Sequence, residues 1–148
     1  MRITTKGRYA LRAILHMVRN GSEKPISIRV LSEQTCLSPE FLEQIFFRLR
    51  KADLISSTRG PGGGFTFTKS TTEVSIDDIF MAIDEGYFIT PCSIQDKQKV
   101  LDCDYSENCM ACEFWKHTYN VMRSYFSGVT IQNIIDGEFP ASIQSSIQ

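Results

Sequence analysis

The chain has 148 residues, 42% of them hydrophobic and 22% charged, with five cysteines and a net charge of −1. That length and balance are ordinary for a soluble globular protein of one or two small units. No apolar run approaches the ~18 residues of a membrane span, because Arg12 and His16 interrupt the N-terminal ones. Residues 1–18 lack the clean apolar core and cleavage site of a signal peptide. The expected location is the cytoplasm, where an odd number of cysteines argues against a disulfide framework and for metal or redox chemistry. No catalytic constellation appears beyond the cysteines, so an enzyme is not expected.

The small net charge conceals a division. Residues 1–70 hold twelve Lys/Arg against five Asp/Glu, and residues 71–148 hold four against twelve. A basic N-terminal half facing an acidic C-terminal half points to a polyanionic partner for the first.

In chain order, residues 5–19 read as a helix rich in Ala10, Leu11, Ala13 and Leu15, stopped by Asn20-Gly21. Ser27 is placed to cap a second helix running to Thr35, with Ile28 and Leu31 inward. Cys36 at the following turn is expected to be a small buried residue. Ser38-Pro39 supplies an N-cap and first helical position for a third helix. Its buried stripe is Leu42, Ile45, Phe46 and Leu49. Its polar side carries Glu40, Glu43, Gln44, Arg48 and Lys51.

Two short extended runs, residues 54–58 and 65–68, flank Arg59-Gly60-Pro61-Gly62-Gly63-Gly64 and predict a β-hairpin. Ser75-Ile76-Asp77-Asp78 resembles a capping box. It opens a helix with Ile76, Ile79, Phe80 and Ile83 inward, ending near Gly86. After the cysteines, residues 113–127 form one strong helix with two apolar stripes. One is Trp115, Tyr119, Met122 and Phe126; the other is Phe114, Val121 and Tyr125. So wide an apolar arc exceeds what one small domain needs, which points to a partner chain. Residues 129–135 form a short final helix and 137–148 a tail.

Three helices followed by a hairpin is the order of a winged helix-turn-helix. The fold class is therefore mostly α with a small β-wing, plus a long C-terminal dimerisation helix. Residues 1–86 would be the DNA-binding domain, 87–112 a cysteine-rich loop and 113–136 the dimerisation segment.

The third helix would enter a major groove. There Gln44 can read adenine and Glu43 can accept from cytosine N4. Arg48, Arg50 and Lys51 would sit on phosphates, with Ser38 and Glu40 at the helix start. At the hairpin tip, Arg59 suits a narrow minor groove. Gly60, Pro61, Gly62 and Gly63 let the backbone approach closely. A solvated helix face and a plain flexible turn are the bland alternatives.

Cys92, Cys103, Cys109 and Cys112 are spaced C-x10-C-x5-C-x2-C within a mostly polar stretch that buries little core. The last two sit one turn apart at the start of the long helix, whose N-terminus favours thiolates. Four thiolates suit an iron–sulfur cluster, tetrahedral zinc or a thiol switch, in that order. His117 is expected on the surface rather than as a ligand.

The chain resembles the winged-helix iron–sulfur regulators typified by IscR, NsrR and RirA. The resemblance rests on Thr5-Lys6-Gly7-Arg8-Tyr9-Ala10, Leu42-Glu43-Gln44-Ile45-Phe46, Arg48-Leu49-Arg50-Lys51, Arg59-Gly60-Pro61-Gly62-Gly63-Gly64-Phe65, Ala82-Ile83-Asp84-Glu85 and the Cys103-x5-Cys109 spacing. It implies a homodimer crossed through its long helix, binding double-stranded DNA at palindromic operators. It also implies a cluster on Cys92, Cys103 and Cys109 with one variable ligand. Cys112 stands where IscR-like members carry a histidine, so either a 2Fe–2S cluster, placed first, or a 4Fe–4S cluster fits. The Cys92–Cys103 spacing is longer than usual, and Glu40 replaces a small polar residue. A zinc-bound or cluster-free regulator of cysteine and sulfur metabolism is one alternative, and an iron–sulfur carrier or scaffold another.

Overall fold

A computed structural model describes residues 3–21, 24–86, 89–91 and 109–140. The order is α1 (Thr5–Arg19), α2 (Ile28–Thr35), α3 (Pro39–Lys51), β1 (Ile55–Thr58), β2 (Gly64–Phe67), α4 (Ile76–Ala82), α5 (Cys112–Gly128) and α6 (Ile131–Asp136). This is the expected fold class, mostly helical with a small two-stranded antiparallel sheet. No helix among the described residues is long and apolar enough to cross a membrane.

The helix starts form where short polar side chains meet orphan backbone donors. Ser27 Oγ accepts from Val30 N–H at 3.3 Å and Ser38 Oγ from Phe41 N–H at 3.2 Å. Ser75 with Asp78, and Thr130 with Asn133, close reciprocal capping boxes. These two caps lie side by side: Ile76 N–H donates to Val129 O at 2.9 Å, and Ile131 N–H to Val74 O at 3.0 Å.

The core lies between α1, α2, α3 and the wing. Ala10, Ala13, Ile14 and Met17 of α1 meet Leu31 of α2 and Leu42, Ile45, Phe46 and Leu49 of α3, all buried. Phe46 meets the wing's Phe65 edge-on, with ring centroids 5.0 Å apart. In the wing, Ile55 pairs with Phe67 and Thr58 with Gly64. Ile26 adds a single bridge to Phe65. A Cβ on Gly64 would run into the Ile26 backbone, so this approach requires glycine.

Four expectations shift. Strand β1 starts one residue late and ends at Thr58 as expected, and β2 runs one residue early at both ends. The final helix starts at Ile131 rather than residue 129, because Thr130 is its N-cap. The α4 helix stops at Ala82 rather than near Gly86, because Asp84 takes a left-handed conformation (φ 54°). Cys36 is exposed, not buried. It is the left-handed C-cap of α2 (φ 56°), and the chain reverses there, turning its side chain away from the core.

Candidate nucleic-acid interface and thiol pair

The buried stripe of α3 turns the rest of that helix outward. Glu40, Glu43, Gln44, Phe47, Arg48, Arg50 and Lys51 are all exposed. Spacings of three and four put Glu40, Gln44, Phe47 and Lys51 on one strip. The expected readers Glu43 and Gln44 therefore do share an open face. Ser38 is exposed but its hydroxyl is engaged in capping, so it sets the start of the helix. The wing carries Arg59, Gly60, Pro61 and Gly62 at an exposed tip. That tip is closed by Gly63 N–H donating to Gly60 O at 2.9 Å, and Gly63 itself is half-buried.

Two of the expected phosphate-binding arginines are tethered. Arg48 pairs with Asp84 at 2.8 Å, its side chain 43% exposed. Arg50 donates to Ser57 Oγ of β1 at 3.3 Å, and its guanidinium lies over the Phe47 ring, 5.8 Å from the centroid. Each tether holds the cation at a fixed place beside α3 while leaving donors for a ligand.

Sequence reasoning gave no role to Asp84 and Glu85. Glu85 is only 2% exposed. Its carboxylate accepts from Thr4 N–H at 2.6 Å and Thr4 Oγ1–H at 2.7 Å, capping α1 from 81 residues away. Thr4 itself makes no side-chain cap. Lys6 Nζ donates to Asp84 O at 2.8 Å. The turn after α4 thus ties down both the start of α1 and the side of α3. The Ala82-Ile83-Asp84-Glu85 motif marks these residues in the sequence, but it does not name a partner so far off.

Cys109 and Cys112 are half-buried at the start of α5, with Cys112 N–H donating to Cys109 O at 3.1 Å. The N-cap is Ala111, which offers no side-chain acceptor. One turn on, the Lys116 ammonium is held above its ordinary pKa by the Glu113 carboxylate it donates to at 2.8 Å, with Cys112 adding to the effect. His117 is exposed, as expected. Cys92 and Cys103 lie outside the described residues. Among the described residues no group of three or more potential ligands gathers. The donor chemistry fits a soft metal centre: two half-buried thiols one turn apart at the start of a helix.

The α5 helix rests on α4. Phe126 meets Phe80 edge-on at 5.5 Å, Ser127 donates to Asp77 at 3.2 Å, and Arg123 approaches Asp77 at 3.6 Å. Of its apolar stripes only Tyr119 is fully buried, and Phe114 remains 60% exposed.

Known proteins agree with the resemblance read from the motifs. The family model described as Rrf2, iron-dependent transcriptional regulator, matches residues 3–137. The HTH-type transcriptional regulator IscR of Photorhabdus laumondii is 31% identical over 93% of this chain and 81% of its own length. A transcriptional regulator from Listeria innocua has the same fold, with a TM-score of 0.74, 24% identity and coverage of 100% of this chain and 95% of that one. So has CymR, the global cysteine regulator of B. subtilis, with a TM-score of 0.71, 22% identity and coverage of 93% and 98%. With a family model spanning nearly all of the described winged helix and both C-terminal helices, this chain belongs to the Rrf2 family of transcriptional regulators.

Proposed function

We propose that the chain is a cytoplasmic, homodimeric DNA-binding regulator that senses iron–sulfur, redox or nitric-oxide status through Cys92, Cys103, Cys109 and Cys112. The observation that carries this reading is the pairing of two features on one chain. The first is an open α3 face flanked by cations and a glycine-rich wing. The second is a thiol pair opening the helix that packs against α4.

In this reading α3 lies in the major groove of each half of a palindromic operator. Glu43 and Gln44 read bases, Arg48, Arg50 and Lys51 hold phosphates, and Arg59 enters the minor groove. Cys109 and Cys112 would supply two of the cluster's ligands, and Cys92 and Cys103 the other two. A bound cluster supplies oxidisable, nitric-oxide-reactive iron in an all-thiolate setting. The chain's own route from thiols to DNA runs along α5 to α4, and from Asp84 to Arg48 on α3. A bias of about 1.4 kcal/mol along that route changes operator occupancy roughly tenfold.

The test is anaerobic purification with a visible spectrum, iron and sulfide counts, and operator binding across a salt series. The expected protein is coloured, and its affinity falls by about a thousandfold between 50 and 200 mM salt. A colourless protein with stoichiometric zinc would overturn the cluster. It would favour the second reading, a zinc-bound or cluster-free regulator of cysteine or sulfur metabolism, for which the shared fold of CymR is the supporting observation. Salt-insensitive or absent DNA binding would leave a carrier or scaffold.

A further inference from the structure

Phe46 and Phe47 are neighbours on α3 with opposite surroundings. Phe46 is fully buried, whereas Phe47 is 58% exposed. Single exposed apolar residues are common on protein surfaces, so exposure alone assigns nothing. Position and bracing do. Phe47 lies on the same outward strip as Glu40, Gln44 and Lys51, one turn after Glu43. It stands between the two residues proposed to read bases and the cation proposed to hold phosphate.

The ring is also held in place. The Arg50 guanidinium lies over it at 5.8 Å, and Arg50 is anchored in turn to Ser57 of the wing. A braced aromatic loses little conformational entropy when it binds. With Glu43, Gln44, Arg48 and Lys51, Phe47 lines an open groove of about 910 Å³ whose other wall includes Met81 of α4.

The charge of the N-terminal half selects the occupant. The groove itself is balanced, Glu43 and Asp84 lying beside Arg48 and Lys51, but Arg50 and Arg59 flank it and residues 1–70 carry twelve Lys/Arg against five Asp/Glu, so a polyanion is favoured over an apolar protein surface. The major groove of DNA offers one apolar group to a side chain, the C5 methyl of thymine. Neither Glu43 nor Gln44 can use it, and a phenyl edge can. We infer that Phe47 reads sequence, packing against a thymine methyl in each operator half-site next to the base pair contacted by Glu43 or Gln44. This rests on the DNA-binding reading above and adds a required thymine to it.

The test selects operators from randomised duplexes with the full chain, wild type and Phe47→Ala, each metal-loaded and metal-free. Every thymine in the selected operator is then replaced singly by deoxyuracil, which lacks only the methyl. The wild type is expected to lose about tenfold in affinity at one position per half-site, within the range for a single base pair. Phe47→Ala is expected to bind thymine and uracil duplexes equally, with an unchanged unfolding midpoint, and Phe47→Leu to fall between. Equal uracil sensitivity in wild type and Phe47→Ala, or none in either, overturns the inference and leaves the DNA-binding reading standing. An altered transcriptional response with unchanged DNA preference also overturns it, assigning Phe47 and Met81 to a protein partner. If neither protein selects any sequence at any salt concentration, both readings fall.

Discussion

The helices α3 and α5 are both amphipathic, yet the chain finishes one and leaves the other open. Helix α3 buries Leu42, Ile45, Phe46 and Leu49 against α1, α2 and the wing. Helix α5 is longer, at 17 residues, but among them only Tyr119 is fully buried. Phe114 and Tyr125 stay exposed, at 60% and 36%. An apolar stripe completed within the chain frees the opposite face to be polar and to meet a ligand. A stripe left uncovered among the described residues is where the proposed second copy of the chain would pack, offering the same residues in return.

The sharpest way to break this contrast is at Phe46. Phe46→Ala empties a fully packed site and removes the edge contact with Phe65. It is expected to cost about 3–5 kcal/mol in denaturant unfolding. A loss under 1 kcal/mol would mean that α3 is not anchored as described. On the other helix, Phe114→Ser together with Tyr125→Ser should weaken self-association about a hundredfold, read by sedimentation equilibrium. An unaltered dimer would place the interface elsewhere and make these aromatics ordinary surface residues.

A smaller effect tests the turn that ties the two halves. Glu85→Ala leaves Thr4 N–H and hydroxyl without their acceptor and should cost about 1–3 kcal/mol. Gly7 supplies an internal control. A Cβ there would sit 2.8 Å from Glu85 Cδ, so Gly7→Ala should destabilise the wild type despite the usual gain of about 1 kcal/mol for Ala in a helix. In the Glu85→Ala background the sign should reverse. Additive effects in that double-mutant cycle would show that Glu85 does not rest on Gly7.

Much of the fold was legible because its signals are local. Ser27, Ser38 and Ser75 announce helix starts through hydrogen bonds three residues on, and apolar spacing marks which face turns inward. The outward face of α3 follows from the same periodicity, which puts Glu43 and Gln44 on it. Cys36 was misplaced because small size predicts burial, whereas a left-handed C-cap can turn a side chain to solvent. Phe47 has no place in the polar pattern of α3, because an aromatic is not one of the hydrogen-bonding side chains that mark a base-reading face. The same periodicity places position 47 outside the buried stripe, and the structure shows it 58% exposed.

By itself, the sequence determined the element order, the serine caps of α2, α3 and α4, the basic and acidic halves and the thiol spacing. Each depends on neighbours within a few residues or on composition. Tertiary structure alone decided which charges are tied and to what. Arg48 meets Asp84 across 36 positions, and Glu85 caps α1 across 81. Such pairs form because packing α4 against α1 and α3 brings orphan helix donors and a guanidinium to one turn, where leaving a buried polar group unmatched would cost about 1–3 kcal/mol. No local pattern encodes that meeting, since the distance along the chain carries no trace of the distance in space.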